Sequence, residues 1–158
     1  MFRKLQRYKN ELSFSECVEI LNFEKRGVLS VIGDEGYPYG MPMNHYYNFD
    51  DGCIYFHCVK VGHRLDSLKK CDKVSFCVLN QGTKNEDGWS YDFKSVVIFG
   101  KIEIVDDDKI VSDITRKLSR KFTTDEEYID KEICDYIENT ILLKLTCEHL
   151  CGKLVHEA

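Results

Sequence analysis

Proline is nearly missing from this chain. Its two prolines, Pro38 and Pro42, sit in one short stretch of 158 residues. With no linker, repeat or low-complexity tract either, the sequence reads as one domain large enough to bury a substantial core. No apolar run approaches the roughly 20 residues needed to span a bilayer, so no membrane contact is expected. Basic charge is also short. The 22 Lys and Arg against 27 Asp and Glu leave a net −5, which argues against nucleic acid as a partner because binding it needs a basic face. No glycine-rich dinucleotide fingerprint follows any strand. No two of the eight cysteines are spaced C-x-x-C, which removes the usual pattern of a structural zinc site, and no metal is expected.

What is present belongs to a soluble globular protein, at 43% hydrophobic and 31% charged residues. Cys17, Cys53, Cys58, Cys77 and Cys134 fall in apolar periodic segments, where a free thiol acts as a small hydrophobe. Met1-Phe2-Arg3-Lys4 is not followed by an apolar signal core, so a cytoplasmic location and reduced thiols are expected. Cys147, His149 and Cys151 alternate. A continuous strand would put all three on one face, though stacked ligands of that kind give poor tetrahedral geometry.

Periodicity supplies the elements. Ser13-Phe14-Ser15-Glu16 is a capping box, and Phe14, Cys17, Val18 and Leu21 keep helical spacing after it, predicting a helix over 14–23. Strands over 27–32 and 37–48 flank Gly33-Asp34-Glu35-Gly36 as a hairpin. Asp50-Asp51-Gly52 turns the chain into a strand over 53–59, followed by a helix over 63–71 and a strand over 73–79. After a polar loop at 81–90 come a long strand over 93–105 and a helix that starts at Asp106-Asp107-Asp108 and runs through Ile110, Ile114 and Leu118. A second helix covers 125–138 and a last strand 139–149. The fold class is therefore mainly β (α+β): a six-stranded antiparallel barrel with peripheral helices.

The stretch from Phe56 to Leu68 concentrates the chemistry. A strand enters a turn closed by Gly62, and His63-Arg64 stands at the start of a helix. Helix N-termini present unpaired N–H groups and a positive dipole end, and guanidinium is a planar multi-donor cation. The place reads either as a phosphate seat or as a solvated helix start carrying two surface cations.

In its order of motifs the chain resembles the FMN-binding split-barrel superfamily founded on pyridoxamine 5′-phosphate oxidase, and within it the nitroimidazole-resistance (Nim) flavoproteins. The matching pieces are Gly36-Tyr-Pro-Tyr-Gly-Met-Pro-Met-Asn-His-Tyr-Tyr, Tyr55-Phe-His-Cys, Gly62-His-Arg-Leu-Asp-Ser-Leu, Ser90-Tyr-Asp-Phe-Lys-Ser-Val-Val-Ile-Phe-Gly-Lys and Cys151-Gly-Lys. The resemblance implies a single FMN-binding split-barrel domain. Gly62, His63 and Arg64 would hold the FMN phosphate. Met41, Pro42, Met43 and Asn44 would run along the flavin ring, with Phe56, His57 and Cys58 lining the opposite side. Tyr91 and Ser95 would approach the cofactor across the interface of a homodimer. The implied activity is an FMN-dependent oxidoreductase fed by NADH or NADPH and passing electrons to a small flat acceptor such as a nitroaromatic. A non-catalytic flavin- or haem-binding module is the alternative. Oxidation of vitamin B6 is not expected, since the chain stops at Lys153-Leu-Val-His-Glu-Ala, without the basic C-terminal segment of the oxidases.

Single residues keep two readings. His57 fits a core histidine or a pocket-lining proton donor, the latter favoured by the resemblance; His45 is the other candidate for the pocket. Met41 and Met43 fit a core. Tyr37, Tyr39, Tyr46 and Tyr47 fit ring stacking or packing at a subunit interface. Trp89 fits a cover over the flavin or a hydrophobic plug.

Overall fold

Ser13 opens the first helix as the sequence requires. Its hydroxyl accepts from the Glu16 backbone N–H, and the Glu16 carboxylate accepts from the Ser13 backbone N–H. This helix, α1 (Phe14–Phe23), buries Cys17, Ile20 and Leu21. In the computed structural model, which describes every residue except Arg7, Asp87 and Ala158, eight strands and four α-helices follow one another along the chain. The strands are β1 (Arg26–Ile32), β2 (Pro38–Asn44), β3 (Tyr46–Asn48), β4 (Cys53–Val59), β5 (Lys73–Leu79), β6 (Thr83–Lys84), β7 (Tyr91–Val105) and β8 (Thr140–His156). The remaining helices are α2 (His63–Lys70), α3 (Asp108–Ser119) and α4 (Glu126–Tyr136). Among the described residues, no helix is long and apolar enough to cross a membrane.

All strands belong to one curled antiparallel sheet in the order β2-β1-β5-β7-β8-β4-β3, with β6 paired to β7. Alternation sends Leu29, Val31, Phe76, Val96 and Ile98 inward, where they meet Phe56, Leu143 and Leu145 in the main core. Each such side chain contributes roughly 1.5–3 kcal/mol by leaving water. A second, smaller core lies outside the sheet, where Val111 and Ile114 of α3 cover Cys53, Tyr55 and Leu142. Arg120 grips Glu126 with two hydrogen bonds of 2.8 and 2.9 Å, and Arg116 reaches both Glu126 and Asp130. These pairs fix the α3–α4 hairpin in place more than they stabilise the fold.

The mainly β split-barrel class stands, while three details differ from the sequence reading. The expected strand over 37–48 breaks at His45, and its halves end up at opposite ends of the sheet, which is how six strands become eight together with the short β6. That short strand lies in the polar stretch 81–90, of which Asp87 is outside the described residues. The last strand continues past His149 to His156. Opposite Gly100 it carries a bulge, at a point where an added Cβ would collide with the Thr146 carbonyl. The bulge reverses the parity of β8, so that Ile141, Leu143 and Leu145 face the main core before it and Leu150 after it. Cys147, His149 and Cys151 consequently do not share a face. His149 stacks on Phe2, and among the described residues no group of metal-ligating side chains forms.

His45 is buried completely at the break. Its Nε2–H donates to the Leu21 carbonyl at 2.8 Å and its ring meets Phe76 edge-on. It is therefore a core histidine, and the reading that placed it in the pocket is corrected. Beside it, the Lys121 ammonium donates to the carbonyls of Leu21, Glu24 and His45 at 3.2, 2.7 and 3.1 Å. Burial, and then the Lys121 charge, pull the His45 pKa down to about 3. Because the unfolded chain binds a proton near pH 6.5 that the folded chain refuses, stability is complete above 6.5. It should fall by up to about 1.4 kcal/mol per pH unit on acidification toward 3. Melting temperatures between pH 6.5 and 5, above the main carboxylate range, should show this slope, and His45→Gln, which keeps a donor for Leu21, should flatten it. An unchanged slope in the variant would remove His45 as its cause.

Candidate functional site: a slit between two unpaired strand edges

The break at His45 leaves the barrel open along one line. β2 pairs with β1 only, and β3 covers β4 only as far as Tyr55, so the edges of β2 and of β4 beyond Tyr55 remain unpaired on either side of a slit. Residues 41–44 and 56–58, the two stretches singled out in the sequence, form these edges. Backbone N–H and C=O groups on such edges are free to bind something other than a strand.

Gly62 starts α2 with φ of +122°, a conformation that side chains resist, and nothing lies within 4 Å of where its Cβ would be. No side chain caps the helix, so its first N–H groups stay available. Arg64, one position into α2, reaches into the slit. Its Nη1 lies 3.9 Å from the Met41 sulfur and 2.7 Å from the Met43 sulfur, and its charge acts on the Cys58 thiol. Its Nε is buried without a partner, and among the described residues no carboxylate pairs with it. Sulfur is a weak acceptor, so this guanidinium is a poorly satisfied cation held in a slit. His63 turns elsewhere, stacking on Tyr39 with its Nε2 3.2 Å from Asp34.

His57 points away from the main core into a cavity of about 580 Å³ between β4 and the α3–α4 hairpin. Asn44, Cys58 and Arg64 share its floor, and Thr115, Leu118, Phe122, Tyr128, Glu132 and Tyr136 contribute to the roof. Although exposed, the His57 ring is closely surrounded on the cavity side. That desolvation, and then the Arg64 charge, hold its pKa below 6.5. Burial pushes the Cys58 thiol up, with Arg64 working against it, so Cys58 stays a thiol rather than a nucleophile.

Residues 13–153 match the family profile described as pyridoxamine 5′-phosphate oxidase. The chain belongs to this family. Solved structures agree on the fold of the oxidase family. A candidate 5-nitroimidazole antibiotic resistance protein from Bacteroides thetaiotaomicron is 19% identical, with a TM-score of 0.77 over 92% of this chain and 87% of that one. A conserved hypothetical protein from Mycobacterium tuberculosis is also 19% identical, with a TM-score of 0.79 over 95% and 90%. An FAD-binding protein from Mesorhizobium loti is 22% identical, with a TM-score of 0.65 over 92% and 96%. No curated protein sequence matches this one.

Of the positions carried over from the oxidase family, Met41, Met43, Asn44, His57, Cys58 and Arg64 meet around the slit, with Pro42 and Phe56 between them along its edges. The Met41 and Met43 side chains are themselves core, as is Phe56. Tyr91 and Ser95 lie apart, on the outer face of β7, and do not line this cavity. The roof was not anticipated. Its signal is the repeat Tyr128, Glu132, Tyr136 at every fourth residue, which in a sequence cannot be told from an ordinary solvated helix face. An NMR titration should place the His57 midpoint below 6.5, and Arg64→Met should raise it. A midpoint that ignores Arg64 would mean that the two side chains do not share the cavity floor.

Proposed function

We propose that this chain is an FMN-dependent oxidoreductase that draws electrons from NADH or NADPH and delivers them to a small flat acceptor such as a nitroaromatic. The observation that carries this reading is Arg64: a half-buried guanidinium with sulfur neighbours, an unpartnered Nε and no carboxylate among the described residues, beside an uncapped helix start and an open Gly62. That combination fits a terminal phosphate. FMN, when bound, supplies the hydride and electron transfer. The chain's own part is to anchor and position. Arg64 and the first N–H groups of α2 take the phosphate, and the unpaired edges at 41–44 and 56–58 offer backbone groups to the polar rim of the ring. His57, largely neutral at pH 7, offers an N–H into the cavity, and its charged form is a stronger acid than an ordinary imidazolium.

The chain is further proposed to act as a homodimer. The four tyrosines and two methionines of 37–48 do not supply the reason, because Met41, Met43 and Tyr47 are buried in the chain's own core. Instead, Val28, Leu79 and Phe99 on adjacent strands leave 41%, 55% and 39% of their surface open on the outer face of the sheet. Tyr91 and Ser95 share that face of β7, so a second copy seated there would bring them to a neighbouring subunit, as the resemblance implies. Light scattering should give about twice the 18.5 kDa chain mass, and Leu79→Glu should halve it. A monomer that binds flavin fully would remove the shared-site arrangement.

Two substitutions separate holding from turnover. Arg64→Ala should weaken FMN binding about ten- to a hundredfold, with Lys69→Ala, on the solvent side of α2, as the unaffected control. His57→Ala should keep the yellow protein but slow reduction of a nitroaromatic by about a hundredfold. Release of FAD instead of FMN from the purified protein, in the manner of the Mesorhizobium loti relative, would overturn the choice of cofactor.

A further inference from the structure

The cavity has two ends of opposite charge. Arg64 stands at its floor, and on the roof Glu132 of α4 projects a half-buried carboxylate. On the opposite side of α4, Glu126 and Asp130 are taken up by Arg116 and Arg120, whereas Glu132 forms no ion pair or hydrogen bond among the described residues. One helical turn to either side lie Tyr128 and Tyr136, both lining the cavity and both more than half exposed. A carboxylate with a tyrosine one helical turn to either side is the chemistry that selects a cation with a weakly hydrated, apolar skin: the charge attracts it, and aromatic rings can replace its water. The Thr115 hydroxyl, buried in the same cavity without a partner, adds a polar contact opposite α4.

We propose that this roof is a subsite for a small organic cation, an aromatic compound bearing an ammonium or ring-nitrogen charge, held by Glu132 between Tyr128 and Tyr136. The acceptor taken by this cavity accordingly carries positive charge at the end remote from Arg64. The inference rests on the reading of the cavity as the acceptor site, and it narrows the acceptor class from flat aromatics to cationic ones.

Calorimetric titration of the full-length, FMN-loaded protein with benzyltrimethylammonium tests it, with benzyl alcohol as the neutral comparator. The cation should bind saturably and about tenfold or more tighter than the alcohol. Glu132→Gln should remove about tenfold of that affinity, and Tyr128→Leu should weaken it severalfold, while both variants keep the wild-type melting temperature and FMN affinity. Equal binding of cation and alcohol, or undiminished binding by Glu132→Gln, would overturn the proposal. Repeating the titration without FMN keeps the two readings apart. A chain that refuses FMN but binds the cation through Glu132 loses the flavin assignment and keeps this subsite; one that takes FMN and ignores the cation does the reverse.

Discussion

The architecture depends on one corner, where the chain passes from β2 to β3 at His45. Two successive strands that would ordinarily continue in line are sent to opposite ends of the same sheet. Such a turn buries polar backbone that a strand ladder would otherwise satisfy, and buried carbonyls without partners are costly. The His45 ring and the Lys121 ammonium meet this need together. Between them they bond the Leu21, Glu24 and His45 carbonyls and so tie the end of α1, the corner and the end of α3 into one knot. The imidazole stays neutral to do this, while Lys121, its pKa drawn down to about 8 by burial, is still charged at neutral pH and spends its three donors there.

The slit is a direct consequence. Because β3 leaves β2 and covers only the first half of β4, two edges are left without a strand partner, and the helix following β4 drops Arg64 between them. A fully closed barrel would satisfy those edges and leave no place for a ligand. The price in stability is moderated by the thioethers of Met41 and Met43, soft enough to lie against a guanidinium and apolar enough to belong to the core. Over the same region, α3 and α4 turn an exposed sheet face into a walled cavity, with the ion pairs of Arg116 and Arg120 setting the angle of the roof. Floor and roof thus come from segments some 70 residues apart in sequence.

Much of this was legible in the residues. The capping box at Ser13, the acidic start of α3 and the Gly62-His63-Arg64 turn are local signals, since a helix end is decided by which side chain can bond the nearest free N–H. The two stretches that flank the slit were also identifiable, by their likeness to a family. The role of His45 was not. Histidine in an alternating apolar strand looks the same whether its ring meets a carbonyl or a ligand, and only the Leu21 oxygen, 24 residues away, settles which. The bulge at Gly100 was likewise invisible, because a register shift is a property of two strands together.

By itself the sequence determined both ends of α1, the start of α2 with the charge placed there, and the mainly β class, all of which depend on neighbours within a few residues. The tertiary structure decided which edges stay unpaired, which histidine faces solvent space and which is sealed, and that α4 roofs the cavity with a carboxylate that has no partner among the described residues. Each of these turns on what a side chain meets from far along the chain, and periodicity carries no record of that partner.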